Sequence, residues 1–523
     1  MNYKESALKQ GHFSFFENLI SHPMVSLFII CLLATPLKLS KINELFTQNT
    51  TVYLAIIGFS LILFFAVFLY IKGSLNTRNI IILIIIAGFF LRLLYVLYTD
   101  LSERQHDIGS FFTNDDGHAT YIKYLMENKH LPDFDVRERW QFYHPPLFHI
   151  ICAVWLSLLQ LLFSAKETFG CTQIVTLFFS SAVIIISYKI FKELNLKKQG
   201  LIISTSLVCF SPTFIYFAGT VNNDIMSVSF MLLSMLFAIR WYKNSSFKNI
   251  ILLALCIGFG MMTKLSVWMT APPVCVLFLA VFFKNIKKWK TFISQFFVFG
   301  VICIPLGIWW EIRNFFMFNV PMAFIPSAGN STDPQYIGNG VHSITERLFD
   351  FNFSQLKSVY DHFTLFGDSY NEYNPTIGLF KTALFGERIN DTAFPIIKFA
   401  GPILFYSAII LSFLAIILII KSFFDKKPKQ NSTAVLEYDC FDIFIKISLS
   451  LFVLINLISY YTFCIKFPLT CTQHARYCMS AIPILAFYLG KSFDKSKKAI
   501  CVTITVFTII YCLSSAFIYS VIN

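Results

Sequence analysis

Residues 52–71 read VYLAIIGFSLILFFAVFLYI, and after a short polar break residues 80–98 read IIILIIIAGFFLRLLYVLY. The first stretch carries no charge over a length of helix able to cross a hydrocarbon core of roughly 30 Å. Phe292 to Trp310, Ile403 to Ile420 and Ile500 to Ile518 are built the same way. Of the 523 residues, 56% are hydrophobic and only 14% charged, and the mean hydropathy is +0.65. A soluble domain carries about 25% charged residues, so a soluble enzyme with one anchor is excluded. The predicted fold class is an all-α polytopic membrane protein.

Apolar segments fall at 24–39, 51–72, 79–98, 171–191, 200–219, 225–241, 249–264, 266–284, 292–311, 400–421, 442–463, 476–490 and 499–520. They predict about 13 transmembrane helices. The stretch 146–163 is also apolar, but it follows Pro145-Pro146, and charge decides its place. If it lies on the membrane, Lys72/Arg78, Lys192/Lys197/Lys198, Arg240/Lys243/Lys248, Lys284/Lys287/Lys288/Lys290, Lys426/Lys427/Lys429 and Lys495/Lys497/Lys498 share one face. The positive-inside rule makes that face cytoplasmic. The net charge of +13 is then topological, and no nucleic-acid partner is needed to explain it.

This topology predicts a cytoplasmic N-terminus without a signal peptide. Two long loops, 99–170 and 313–399, and a shorter one at 464–475 lie outside, with juxtamembrane helices and an outer cap. Residues 1–420 are expected to form the catalytic membrane region, and 421–523 a C-terminal group of helices behind a cytoplasmic connector. The length of loop 313–399, which includes Asn330-Ser-Thr, His342, Asp361-His362 and Arg388, points to a functional cap. Most of the 13 cysteines sit in apolar helices as small hydrophobes; Cys464, Cys471 and Cys478, near the outer loop, leave a disulfide open.

Ionisable groups gather in the first outer loop, against the local composition: Asp107, then Asn114-Asp115-Asp116-Gly117-His118, then Tyr143-His144-Pro145-Pro146-Leu147. Residues 118–125 show helical spacing, and Asp116 fits the N-cap, accepting from the amides of His118 and Ala119. Capping leaves Asp115, Asp107 and the His118 imidazole unexplained. Carboxylates and an imidazole partly removed from water suit general-base chemistry. The two prolines fix a helix start and can present Tyr143 and His144 to a cavity.

The acidic motif Asp115-Asp116-Gly117-His118-x-x-Tyr121-Ile122, followed by Tyr143-His144-Pro145-Pro146-Leu147, resembles the GT-C-fold glycosyltransferases. The likeness is to their protein O-mannosyltransferase and aminoarabinose-transferase branch. Asn222-Asn223-Asp224, Gly258-x-Gly260-Met-Met-Thr263-Lys264, Arg313-Asn314 and Thr472-Gln473-His474-Ala475-Arg476-Tyr477 extend it over roughly residues 79–490. The resemblance implies transfer of a sugar from a polyprenyl-phosphate carrier to an acceptor glycan, lipid or protein at the outer face. It implies an Asp base and inversion at the anomeric centre.

Related sequences often carry Glu at the Asp116 position, which leaves Asp107, Asp115 and Asp116 open as that base; Asp115 ranks first and Asp107, which follows the preceding helix more closely, second. Substrate contacts are expected from His118, Tyr121, Tyr143, His144, Lys264, Arg313, Arg347, His474, Arg476 and Tyr477. The cations among them would meet the departing phosphate, although Lys264 and Arg476 also sit where cations ordinarily snorkel. Asp115, Asp116 and His118 could ligate a divalent cation, but the resemblance implies no obligatory metal and no cofactor. The rival class is a transporter or flippase. Against it stand few intramembrane charges and no paired broken helices.

Overall fold

The computed structural model describes residues 22–326, 333, 335–351, 373–386, 396–424, 442–494 and 496–522. Within them the chain is helical, with one isolated bridge, Tyr336 to Leu469, in place of any strand. Asn330, Asp361, His362, Arg388, Lys426, Lys427, Lys429 and Lys495 lie outside the described residues. The protein is an integral multi-pass membrane protein.

All thirteen predicted segments contain helix, but they are not thirteen spans. Among the described residues, nine helices are long and apolar enough to cross a membrane, or ten if one bent pair counts as a span. The shortfall has local causes. The first helix, Pro23–Ala34, tightens into a 3-10 turn at Thr35-Pro36. Phe247–Thr263 stops at extended Lys264, and Ile482–Lys491 has only 10 residues. Leu147–Leu159, with 13 residues and a length near 20 Å, is too short to cross a bilayer.

Burial sorts the spans by environment. The outlying helix Gln48–Ile71 leaves Ile56, Ile57, Leu61, Leu63, Phe64 and Phe65 exposed, which is how a helix apolar all round meets lipid. Ala165–Glu193 and Asp224–Lys243 are mostly buried and form the centre. Between them runs the bent pair Lys198–Cys209 and Pro212–Gly219, turned by 41°. Pro212 has no N–H to offer the Val208 carbonyl. Arg92, fully buried in the Thr77–Tyr98 span, supplies the missing donors to Val208 O (3.1 Å) and Cys209 O (2.6 Å), and also binds Gly88 O and Ser180 Oγ. Four hydrogen bonds to neutral acceptors make the charge tolerable there.

This break positions the functional end of the bundle. Gly219, where the bent pair stops, gives its carbonyl to Gln105 Nε2 (2.9 Å) and Gln173 Nε2 (2.7 Å), while Gln105 Oε1 accepts from Val221 N (2.8 Å). The loop after the Thr77–Tyr98 helix is therefore tied to the central spans immediately before Asp107.

Candidate active site

Two short amphipathic helices roof this end. His118–Asn128 buries His118, Tyr121, Ile122 and Leu125 along one face, and Leu147–Leu159 buries Phe148, His149, Cys152 and Leu156. These spacings of three and four are what a one-sided helix requires. The start of His118–Asn128 differs from expectation. Gly117 holds the N-cap position, and the His118 and Ala119 amides donate to the carbonyls of Asp107 (3.0 Å) and Ile108 (2.7 Å). Asp116 makes no cap; its carboxylate binds Arg139 at 2.6 Å, and Arg139 lies over the Phe142 ring. A neighbouring strip of backbone satisfied the helix end, so no side-chain acceptor was needed.

That arrangement demands two glycines. Gly109 has φ +62°, and a Cβ on Gly117 would fall 2.3 Å from Gly109 N. Asp107 also adopts positive φ, 54°, an uncommon state for a residue with a side chain. The acidic segment folds back on itself and aims Asp107 inward.

Inside, Asp107 Oδ2 accepts from Arg476 Nη1 at 2.9 Å, and Arg476 Nη2 donates to Tyr477 Oη at 2.9 Å. Lys264 Nζ donates to Asp224 and sits 5.6 Å from the Tyr477 ring centroid. Two carboxylates and two cations from four distant parts of the chain thus meet around one tyrosine. His106 packs edge-on against His474 at 4.6 Å. Tyr143 contacts His144, and His144 lies parallel to His118.

Each cation has its own support. Arg476 follows a turn in which His474 Nδ1 accepts from Arg476 N (3.0 Å) and Thr382 Oγ1 accepts from Ala475 N (2.9 Å). Lys264 follows Thr263, whose carbonyl accepts from Asn223 Nδ2 at 3.0 Å, locking the Asp224 and Lys264 segments together.

Burial would push the Asp107 carboxyl up, but Arg476, His118 and His106 outweigh it and hold it below the usual carboxylate range. Burial brings His118 down to about 4, opposed chiefly by Asp107, and lowers His144 and His474 further. The base form of Asp107 and neutral imidazoles are therefore the resting states at neutral pH. Burial raises the phenols of Tyr143 and Tyr477.

The structure separates the candidates read from sequence. Asp107, His118, Tyr143, His144, Lys264, His474, Arg476 and Tyr477 are brought together. Asp115 is exposed and accepts from Thr113 Oγ1 at 2.7 Å. Arg313 donates to the Pro132 carbonyl and stacks on Trp310 at 5.0 Å. Arg347 donates to the Cys464 carbonyl at 2.6 Å. Tyr121 is buried between Phe142 and His149. Asp224 and His149 had not been singled out for the site. Asp224's place at the start of an apolar segment was a visible signal; His149, an ordinary position in a helix, gave none.

Among the described residues, Cys464 and Cys478 are free thiols, and Cys464 Sγ meets the Thr472 carbonyl. No group of three or more His, Cys, Asp or Glu that could hold a metal occurs among the described residues.

Residues 143–309 match the family model of the dolichyl-phosphate-mannose-protein mannosyltransferases. The chain resembles the GT-C-fold glycosyltransferases. The match begins at Tyr143 and takes in Asp224 and Lys264. The sequence matches none of the curated proteins. Among solved structures it is similar to an oligosaccharyltransferase of Archaeoglobus fulgidus in the apo form (13% identity, TM-score 0.45, 84% of this chain and 56% of that one). It is also similar to the oligosaccharyltransferase AglB of that organism in complex with an inhibitory peptide and a dolichol-phosphate (10%, 0.46, 85% and 55%). The chain spans just over half the length of these proteins.

Proposed function

We propose that the protein is a membrane glycosyltransferase that moves a monosaccharide from a polyprenyl-phosphate carrier to a hydroxyl or amine of a glycan, lipid or protein, at the extracytoplasmic end of the bundle. The observation that carries this reading is the Asp107–Arg476 pair beside Asp224–Lys264. A carboxylate beside cations suited to a phosphate is what such a transfer requires, and this supports the reading. The family match over residues 143–309 supports the same chemistry. The orientation rests on the Asp224–Lys243 helix, which begins at the acidic cluster and ends at Arg240 and Lys243, cytoplasmic by the positive-inside rule.

Asp107 is the proposed base in place of Asp115, because Asp107 is held among the cations and Asp115 is held outside by Thr113. Its carboxylate takes the acceptor proton as the acceptor atom bonds to the anomeric carbon. The bond from that carbon to the phosphate oxygen breaks, and the polyprenyl phosphate leaves with the electron pair, giving inversion in one displacement. Arg476 and Lys264 meet the developing charge. A phosphate that draws Arg476 toward itself also takes the cation from Asp107, which raises the basicity of the carboxylate when the donor is bound. No step calls for a metal.

The test is incubation of purified protein with a panel of polyprenyl-phosphate monosaccharides, measuring release of carrier phosphate. Turnover of at least one donor is expected. No turnover with any donor, together with solute flux in liposomes, would replace this reading with transport.

A further inference from the structure

A buried pair of imidazoles beside the site has no role in the steps above. His118 Nδ1 lies 2.9 Å from His149 Nε2, with the rings 13° from parallel, and His149 is fully buried. Two neutral imidazole nitrogens at this distance share one proton, so one ring donates and the other accepts. The two choices leave different remainders.

If His118 donates, His149 carries its proton on Nδ1. That nitrogen is buried without a hydrogen-bond partner among the described residues, and an orphaned buried N–H is a rare and costly state. His118 would then turn a bare lone pair on Nε2 toward its charged neighbours. Of the charged groups acting on this ring, the carboxylates of Asp107 and Asp224 weigh more than Lys264 and Arg476. If His149 donates, both problems ease: the orphan at His149 Nδ1 is a lone pair, and a proton on His118 Nε2 suits a ring on which carboxylates weigh more than cations. The His118 amide already donates to the Asp107 carbonyl, which keeps the two residues adjacent. Tyr121 stacks on His149 at 4.1 Å and holds its ring in place.

We propose that His149 is a positioning residue whose Nε2–H keeps His118 in the Nε2-protonated tautomer, so that His118 meets the site as a neutral hydrogen-bond donor and not as a second base. The donor has an oxyanion to serve: Asp107 in the free protein, and an oxygen of the phosphate or sugar once Asp107 turns to the acceptor. That second role rests on the glycosyl-transfer reading; the tautomer does not.

Two measurements test it. In full-length protein labelled with 15N-histidine in lipid nanodiscs, the His118 signals are assigned by their loss in His118→Gln. The one-bond 15N–1H coupling is expected at Nε2; a proton on Nδ1, or signals averaged between the two nitrogens, overturns the proposal. In the transfer assay, His149→Gln keeps an amide donor near the Nε2 position, and His149→Glu puts an acceptor of similar reach there. The Gln variant is expected to keep kcat within about threefold, and the Glu variant to lose about tenfold or more at unchanged KM. Equal losses in both overturn the positioning role. If the wild-type protein transfers no sugar, the glycosyl-transfer reading fails, and the 15N result still decides the tautomer.

Discussion

The helix Asp224–Lys243 carries ion pairs at both ends, about 30 Å apart. At its start Asp224, its side chain 5% exposed, holds Lys264. At its end Arg240 and Lys243 hold Glu193, whose side chain is 25% exposed. Both ends pair a carboxylate with cations, and the consequences differ. Water screens the Glu193 cluster, so its pairs contribute little and its lysines act mainly on topology. At Asp224 itself, Tyr477 and the buried histidines keep water away and a charge without a partner is costly, while the Asp107 side chain of the same end is 32% exposed and open to the proposed substrate. The end where Asp224 and Lys264 are enclosed is the one to which the proposed reaction is assigned.

The largest expected contrast is between carboxylates of one loop. Asp107→Asn should lower transfer by about 10²–10⁴-fold with folding intact, while Asp115→Asn stays within about twofold of wild type. Equal losses at both positions in carrier-phosphate release would return the base to the exposed segment. Next, Arg476→Lys, which keeps the charge but loses the two-pronged hold on Asp107 and Tyr477, should cost about tenfold in kcat.

Gly117→Ala has no direct part in chemistry, yet its Cβ would strike the Gly109 backbone. Thermal unfolding should show a loss of about 1–3 kcal/mol. Stability should also depend on pH at the enclosed end. His118 is lowered from 6.5 to about 4, so between those values the unfolded chain binds protons the folded one does not. Stability is therefore full above about pH 6.5 and is lost as pH falls toward 4. A Tm flat from pH 7 to 4 would mean that His118 is not sequestered. The smallest effect belongs to the screened end: Glu193→Gln should change stability by at most about 1 kcal/mol and leave transfer unchanged.

Much of this was legible in order along the chain. The spans showed as uncharged runs, and 146–163 was separated from them by its prolines and the placement of lysines; it is the short helix Leu147–Leu159. The acidic loop and the Tyr143-His144 turn stood out against their surroundings. What the sequence could not decide was which aspartate turns inward: it ranked Asp115 ahead of Asp107. Asp107, Asp115 and Asp116 are alike in sequence, and their difference comes from Gly109 and Gly117 packing together, which turns one carboxylate inward and leaves Asp115 with Thr113. Arg313 and Arg347 stood as candidates behind Arg476, which His474 and Tyr477 accompany; backbone carbonyls at Pro132 and Cys464 occupy them.

The sequence by itself determined the class of molecule, because hydrophobic length and lysine placement act additively along the chain and need no knowledge of contacts. It also determined where polar chemistry gathers. Only the tertiary structure decided which groups meet: Asp107 and Arg476 are separated by 369 residues, and Asp224 and Lys264 by 40. The loop that carries Asp107 is tied through Gln105 to Gly219 and Val221, beyond the break at Pro212. Charge interactions fall off with distance and depend on the exclusion of water, and neither quantity is written in the order of residues.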